Sequence, residues 1–315
     1  MEAIPATTFS KPEKKDINIT IDRRSLSLTN LNKIYWPDEK ITKGDMIAYY
    51  SAIAPYIIPY LKNRPLSLKR NPNGILDEGF YHKDAGGEAP SWMKVAPIYS
   101  EGAEKTIQYL ICNNRASLIY IANLGCIEIN PWNSTIKKLE YPDYLVIDLD
   151  PSDENSFDQV IEAANVVREI LKSIGCESYC KTSGSTGLHV YIPTGAKYTY
   201  DEIKDFAKLL ANKVVETIPE FTTTERPLNK RNGRMYIDFL QNRQGQTLAS
   251  VYSLRPKPGA PVSTPLEWKE VKPGLHTSLF NIRNVIKRVE KKGDLFAGIM
   301  QKGIDLKRAL KKLNA

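Results

Sequence analysis

Residues 144–151 read YLVIDLDP, an apolar run that closes on two carboxylates and a proline. Side chains alternate along a strand, so Leu145, Ile147 and Leu149 would line one face while Val146, Asp148 and Asp150 line the other. Pro151 lacks the N–H that a ladder requires and marks the strand's end. Two like charges so placed repel unless a proton or a cation lies between them. Taken alone, the pair has two accounts. One carboxylate could cap the helix that follows, or both could seat a divalent cation, which takes oxygen ligands and commonly combines carboxylates with substrate phosphates.

A third acid favours the cation. In GRMYIDFLQ (233–241) Asp238 interrupts a second strand pattern, predicted over 234–240, with Tyr236 and Leu240 on its own face. A lone acid in an apolar strand is costly without a partner. Side by side, the two strands would bring Asp148, Asp150 and Asp238 together, and such a set can hold two metal ions about 3.5–4 Å apart for phosphoryl or nucleotidyl transfer. The stretch KTSGSTGLHVYIP (181–193) sets Gly184 and Gly187 among Ser183, Ser185 and Thr186, whose amides and hydroxyls suit a triphosphate. It is not a P-loop, since GxxxxGK[ST] is absent and a strand follows. His189 alternates with Leu188 and Val190, which turns it toward the ligand side of that strand.

Around these segments the pattern predicts strands over 65–70, 106–110, 126–130, 143–150, 177–182 and 188–193, and helices over 43–61, 155–174 and 201–217. In the second helix Val160, Ala164, Val167, Ile170, Leu171 and Ile174 recur at helical spacing and Gly175 stops it. Helices and short strands alternating along 315 residues indicate an α/β (α+β) fold. Residues 1–15 read as a flexible tail, 16–280 as the catalytic domain and 281–315 as a basic helical segment.

Lys and Arg outnumber Asp and Glu by 44 to 36, a net charge of +8 that favours an anionic partner such as nucleic acid. Residues 283–313 carry ten Lys or Arg against Glu290, Asp294 and Asp305. They form either two solvated amphipathic helices or a basic arm along a phosphate backbone. No apolar run approaches the ~20 residues of a membrane span, and the first residues lack the apolar core of a secretory signal. The expected compartment is the cytoplasm, with no membrane partner. Cys112, Cys126, Cys176 and Cys180 then read as reduced packing thiols; Cys176 and Cys180 lack the further ligands a zinc site needs.

Together with LTNLNKIYWP (28–37), RPLSLKRNPNG (64–74), ANLGCIEINPWNS (122–134), NKRNGRMYIDFLQN (229–242) and YSLRPKPGAPVSTPLEW (252–268), these segments resemble one family. It is the polymerase domain of bacterial ligase D and its stand-alone relatives, in the archaeo-eukaryotic primase superfamily, acting in non-homologous end joining. The resemblance runs from about residue 25 to 270. It implies a primase-polymerase fold of two packed subdomains with the active site in the cleft between them. The implied activity is a template-dependent polymerase that extends primer 3′ ends at short gaps and breaks, with a preference for ribonucleotides.

The resemblance also implies roles residue by residue. Asp148 and Asp150 would bridge two divalent ions, Mn²⁺ or Mg²⁺, with Asp238 completing the catalytic-metal site. Lys69, Asn130, Ser183, Thr186, Gly187, His189, Arg231 and Arg255 would surround the incoming NTP or dNTP. Asn30, Lys33 and Lys43 would grip a downstream 5′-phosphate, and Phe80 and Tyr81 in GFYHKD would stack on the template. Asn130 stands where the family often has His, and Thr186 where Lys or Arg is common, so two cations of the pattern are missing. The implied partners are gapped or broken DNA, Ku and a separate ligase, with the polymerase a monomer that can pair across a break. Ligase and nuclease activities are expected from other polypeptides. Three other readings stay open: a primase starting chains de novo, a DxD sugar-nucleotide transferase, which gives Asp238 no role, and a non-catalytic DNA-end-binding module.

Overall fold

Residues 15–314 of a computed structural model are described here; the tail expected over 1–15 falls, apart from Lys15, outside them. The chain divides into two units, each assembled from separate stretches. Unit 1 comprises residues up to Trp132, Leu248–Val262 and Phe280–Lys291; unit 2 comprises Asn133–Thr247, Ser263–Leu279 and the residues from Lys292.

Unit 1 begins with an antiparallel pair, β1 (Ile17–Ile21) and β2 (Arg24–Leu28), then the short β3 (Ile34–Trp36) and β4 (Ile41–Thr42). The long helix α1 (Lys43–Leu61) starts at a capping box, in which Thr42 and Asp45 satisfy each other's backbone N–H. Met46, Ile47, Tyr50, Ile53, Ile57 and Leu61 recur at helical spacing and are fully buried. Next come β5 (Leu66–Arg70), β6 (Phe80–His82), the hairpin β7 (Val95–Ser100) and β8 (Lys105–Leu110), α2 (Arg115–Asn123) and β9 (Cys126–Pro131). β5 is the middle strand of an antiparallel sheet ordered β6-β5-β9.

Unit 2 is built on β10 (Tyr144–Asp150), followed by α3 (Phe157–Ser173), β11 (Tyr179–Thr182), β12 (Leu188–Pro193), α4 (Tyr200–Thr217), β13 (Thr222–Thr223), α5 (Leu228–Arg231), β14 (Met235–Asp238) and β15 (Pro265–Leu266). Its sheet runs β13-β14-β10-β12-β11-β15, with β10 antiparallel to both neighbours. Every residue of β10 is buried except Asp148 and Asp150, which are half-buried. Ser156, with Gln159 in a capping box, starts α3, so neither aspartate caps that helix. The strand predicted over 234–240 ends at Asp238. There Asp238 Oδ1 accepts from Leu240 N (2.7 Å) and the backbone turns into a 3₁₀ segment, so Leu240 does not continue the strand face.

The basic C-terminal segment forms α6 (Val285–Lys292) and α7 (Leu306–Leu313). Val285 and Val289 on one, and Leu306, Ala309 and Leu313 on the other, are buried. The exposed side of α7 carries Lys307, Arg308, Lys311 and Lys312. All four cysteines are free and buried, and burial pushes the thiols of Cys176 and Cys180 up to about 11 and about 12. Among the described residues no helix is long and apolar enough to cross a membrane.

Candidate active site

The register of the unit 2 sheet sets Asp148 on β10 between Asp238 on β14 and His189 on β12. Lys181 on β11 stands opposite His189. Directly opposed residues share a face, so Asp238, Asp148, His189 and Lys181 form a row across four adjacent strands. Asp150, two residues along β10 and opposite Tyr236, lies on that same face. The three aspartates, spread from position 148 to position 238, are thus neighbours because two strands pair in one register.

Each carboxylate has protein partners. His189 Nε2 is 3.3 Å from Asp148 Oδ1. Arg231, at the end of α5, donates through one guanidinium nitrogen to Asp150 Oδ2 (2.9 Å). Its Nε and other terminal nitrogen donate to the Arg226 carbonyl, both at 3.1 Å. Its guanidinium also lies 4.7 Å from the centre of the Tyr236 ring. Burial first, and then the charge of Asp238, hold the Tyr236 phenol far above its ordinary pKa. Asp238 Oδ2 accepts from Gln241 Nε2 (2.9 Å). Among the described residues no three His, Cys, Asp or Glu side chains are closed into a ligand set. The donors on this face are hard carboxylate oxygens carrying up to three negative charges, the chemistry that suits Mg²⁺ or Mn²⁺ rather than a softer metal.

The glycine loop between β11 and β12 is held by bonds within itself and by Thr277, whose Oγ1 donates to the Ser185 carbonyl (2.6 Å). Ser183 Oγ accepts from the amides of Ser185 (3.0 Å) and Gly187 (3.1 Å), and Ser183 N donates to Gly187 O (3.0 Å). Thr186 is exposed at the tip. Gly187 is required by close approach, since a Cβ there would sit 2.1 Å from the backbone oxygen of Leu149. Gly187→Ala must therefore displace the loop or the end of β10, and we expect a loss of about 2 kcal/mol or more in a denaturant melt. A variant as stable as the wild type would show that the loop and strand separate easily.

In unit 1 a second row crosses the three-stranded sheet: Tyr81 on β6, Lys69 on β5 and Glu128 on β9. Glu128 is buried and its Oε2 pairs with Arg255 Nε at 2.6 Å. Lys69 Nζ donates to the Gly79 carbonyl (2.6 Å) and lies 5.0 Å from the Tyr81 ring centre. Arg70 holds the matching position over Phe80 at 5.2 Å. Phe80 and Tyr81 are both exposed, and as strand neighbours they point to opposite sides. Asn130 is buried and donates through Nδ2 to the Ser67 carbonyl (3.1 Å).

Asn30, Lys33 and Lys43 also come together in unit 1. Lys33 N donates to Asn30 O (3.0 Å), and Lys43 N to Lys33 O (2.8 Å). Asn30 adopts the left-handed conformation (φ 56°) that this turn needs. Lys33 Nζ donates to Asn73 Oδ1. Lys43 is the first residue of α1, where the helix dipole favours anions. It is buried with Nζ donating to Thr29 O (2.8 Å). Burial, and then the neighbouring charge of Lys33, lower its pKa to about 8, against the opposing pull of Asp16.

Lys181 and Glu128 escaped sequence reasoning. Glu128 had a usable signal, because it is an acid inside an apolar run, the same feature that marked Asp238. Lys181 had none: its burial follows from standing opposite His189, which only the strand pairing reveals.

The LigD primase-polymerase domain family matches residues 42–296 of this chain. The chain is 35% identical over 269 residues to the bifunctional non-homologous end joining protein LigD of Bacillus subtilis (strain 168), covering 85% of this chain and 43% of that protein. It is 31% identical over 273 residues to the multifunctional LigD of Mycolicibacterium smegmatis, covering 86% of this chain and 35% of that protein. It therefore spans less than half the length of these curated relatives. The solved polymerase domain of Mycobacterium tuberculosis ligase D in complex with DNA superposes with a TM-score of 0.81 at 28% identity, covering 89% of this chain and 99% of that one. A mixed helix-and-sheet architecture, a carboxylate row and a sequence match over most of the length lead to one conclusion: the chain belongs to the LigD primase-polymerase domain family.

Proposed function

We propose that this chain is a template-dependent nucleotidyltransferase that extends primer 3′ ends at short gaps and double-strand breaks during non-homologous end joining. The observation that carries this is the pairing of Asp148 with Asp238 across β10 and β14, with Asp150 on the same face. A sugar-nucleotide transferase would use Asp148 and Asp150 and leave Asp238 idle. Asp148, Asp150 and Asp238 would hold two divalent cations, Mn²⁺ or Mg²⁺, which when bound would supply activation of the primer 3′-hydroxyl and neutralisation of the leaving pyrophosphate. Within unit 2, Asp150 gives up its pair with Arg231, and the guanidinium turns to the triphosphate. His189, Ser183 and the loop tip at Thr186 are the neighbouring nucleotide contacts. In unit 1, Phe80 and Tyr81 offer flat, cation-backed faces for template bases.

The substrate is DNA with a downstream 5′-phosphate, the preferred monomer a ribonucleotide, and the partners Ku and a separate ligase. The family membership supports this reading. Incubating the protein with a gapped 5′-phosphorylated duplex, Mn²⁺ and labelled NTPs or dNTPs tests it. Templated incorporation, greater with NTPs, is expected. A protein that binds the gap yet adds no nucleotide on any template would be an end-binding module instead.

The 5′-phosphate pocket adds a pH signature. With a pKa near 8, Lys43 is mostly protonated at pH 7 and mostly neutral at pH 9, while the phosphate is dianionic throughout. A bound dianion favours the charged ammonium, so binding takes up a proton in this range and weakens as pH rises. The affinity advantage of a 5′-phosphorylated over an unphosphorylated gap should fall about tenfold from pH 7 to pH 9. Lys43→Ala should lose both the advantage at pH 7 and its pH dependence. A flat profile in the wild type would remove Lys43 from the pocket.

A further inference from the structure

The row across the unit 2 sheet ends on Lys181, which the proposed chemistry leaves without a task. Its side chain is fully buried. Nζ is 2.9 Å from His189 Nδ1 and 2.6 Å from Ser263 Oγ. Ser263 gives its own proton to the Thr182 carbonyl (2.8 Å), so its oxygen can only accept from the lysine. Nζ also lies 5.6 Å from the centre of the Tyr191 ring, a contact that favours the charged amine.

An ammonium has three donors and no lone pair. With Lys181 as the ammonium, the 2.9 Å contact sets the lone pair on Nδ1, and a neutral imidazole then carries its single hydrogen on Nε2. That nitrogen faces Asp148 Oδ1 at 3.3 Å. We propose that Lys181 is a positioning residue that fixes His189 as the Nε2–H tautomer. His189 then meets Asp148, and any nucleotide oxygen that arrives beside it, as a hydrogen-bond donor only.

This assignment rests on the polymerase reading for its importance, but not for its detection. Without Lys181 the ring is free to place its hydrogen on Nδ1 and turn a lone pair toward a carboxylate. The 3.3 Å contact with Asp148 would then set two lone pairs against each other. Carboxylate orientation at a cation site matters as much as carboxylate identity.

The direct test is ¹⁵N NMR of histidine-labelled protein, with His189 assigned by His189→Ala. The expected wild-type spectrum has Nε2 protonated and Nδ1 unprotonated. A ring with its hydrogen on Nδ1, or with both nitrogens protonated, overturns the proposal without any variant of Lys181. In Lys181→Met, which keeps the volume and removes the donor, the Nε2–H form should give way to a mixture or to Nδ1–H. An unchanged tautomer in a folded Lys181→Met protein overturns the proposal as well.

In the gap-filling assay Lys181→Met should lower kcat about tenfold with little change in the nucleotide KM. Added to His189→Ala it should cost nothing further, and full additivity would show that Lys181 does not act through the histidine. A wild type that fails to polymerise yet shows the Nε2–H ring would refute the function and leave this assignment standing.

Discussion

Asp148→Asn is expected to lower nucleotide incorporation by about a thousandfold or more, equivalent to about 4 kcal/mol of transition-state stabilisation. The substitution keeps the shape of the side chain and an oxygen that can still accept from His189 Nε2, 3.3 Å away. It removes the negative charge from the centre of the row, between Asp238 on one strand and His189 on the other. The loss should therefore be in chemistry, with circular dichroism and the thermal melt close to wild type. Asp238→Asn should be as severe, because in the proposed site it shares the cation with Asp148. The measurement is single-turnover extension of a labelled primer in Mn²⁺ and, separately, in Mg²⁺. Extension by Asp148→Asn within tenfold of wild type in both metals would remove Asp148 from the catalytic centre.

The second large effect is on stability. Glu128→Ala is expected to cost about 3–5 kcal/mol, because it breaks a buried ion pair from one side. Glu128 is 5% exposed and its carboxylate sits 2.6 Å from Arg255 Nε. It is also the cross-strand partner of Lys69. Truncation removes the carboxylate that Arg255 Nε meets at 2.6 Å and that stands opposite Lys69 in the sheet. Glu128→Gln keeps the packing and should lie between the two. Glu128→Leu combined with Arg255→Met should recover much of the loss, because a buried pair exchanged for apolar groups is often neutral. Urea unfolding of the four proteins checks the order. A cost below about 1 kcal/mol for Glu128→Ala would mean that Arg255 reaches water when the acid is gone.

Much of the architecture was legible because its long elements have clear periods. The helix expected over 155–174 is found over Phe157–Ser173, and the one expected over 43–61 has those bounds. The strand expected over 143–150 is Tyr144–Asp150, and its alternation placed both aspartates on one face. The helix Arg115–Asn123 was missed because it is short and buried nearly all round, which leaves no polar side to set a period. Strands of two or three residues, such as Ile41–Thr42 and Thr222–Thr223, are too short to show one.

At the site, the third acid was legible because an aspartate inside an apolar run is expensive. What stood next to it was not, because cross-strand register is a non-local fact. The sequence pattern offered the loop amides of KTSGSTG to a triphosphate, whereas Ser183 Oγ already holds two of them. Lys33 and Lys43 looked like ordinary surface lysines, and only folding shows one of them buried beside the other's charge.

The register that joins Asp148 to Asp238 also decides which kinds of genetic change this domain can absorb. Point substitutions alter one side chain and leave the alternation intact. Deleting or inserting a single codon within Tyr144–Asp150 or Met235–Asp238 shifts every following side chain to the other face. One carboxylate would then turn into the apolar core while the rest of the sheet still closed. Length variation among descendants of this sequence should therefore fall in the turns after Pro151 and Asp238, and be absent from the two strands. A scan of one-residue deletions through both segments, selected first for folding and then for primer extension, would show the boundary as a sharp edge at each end of the strands.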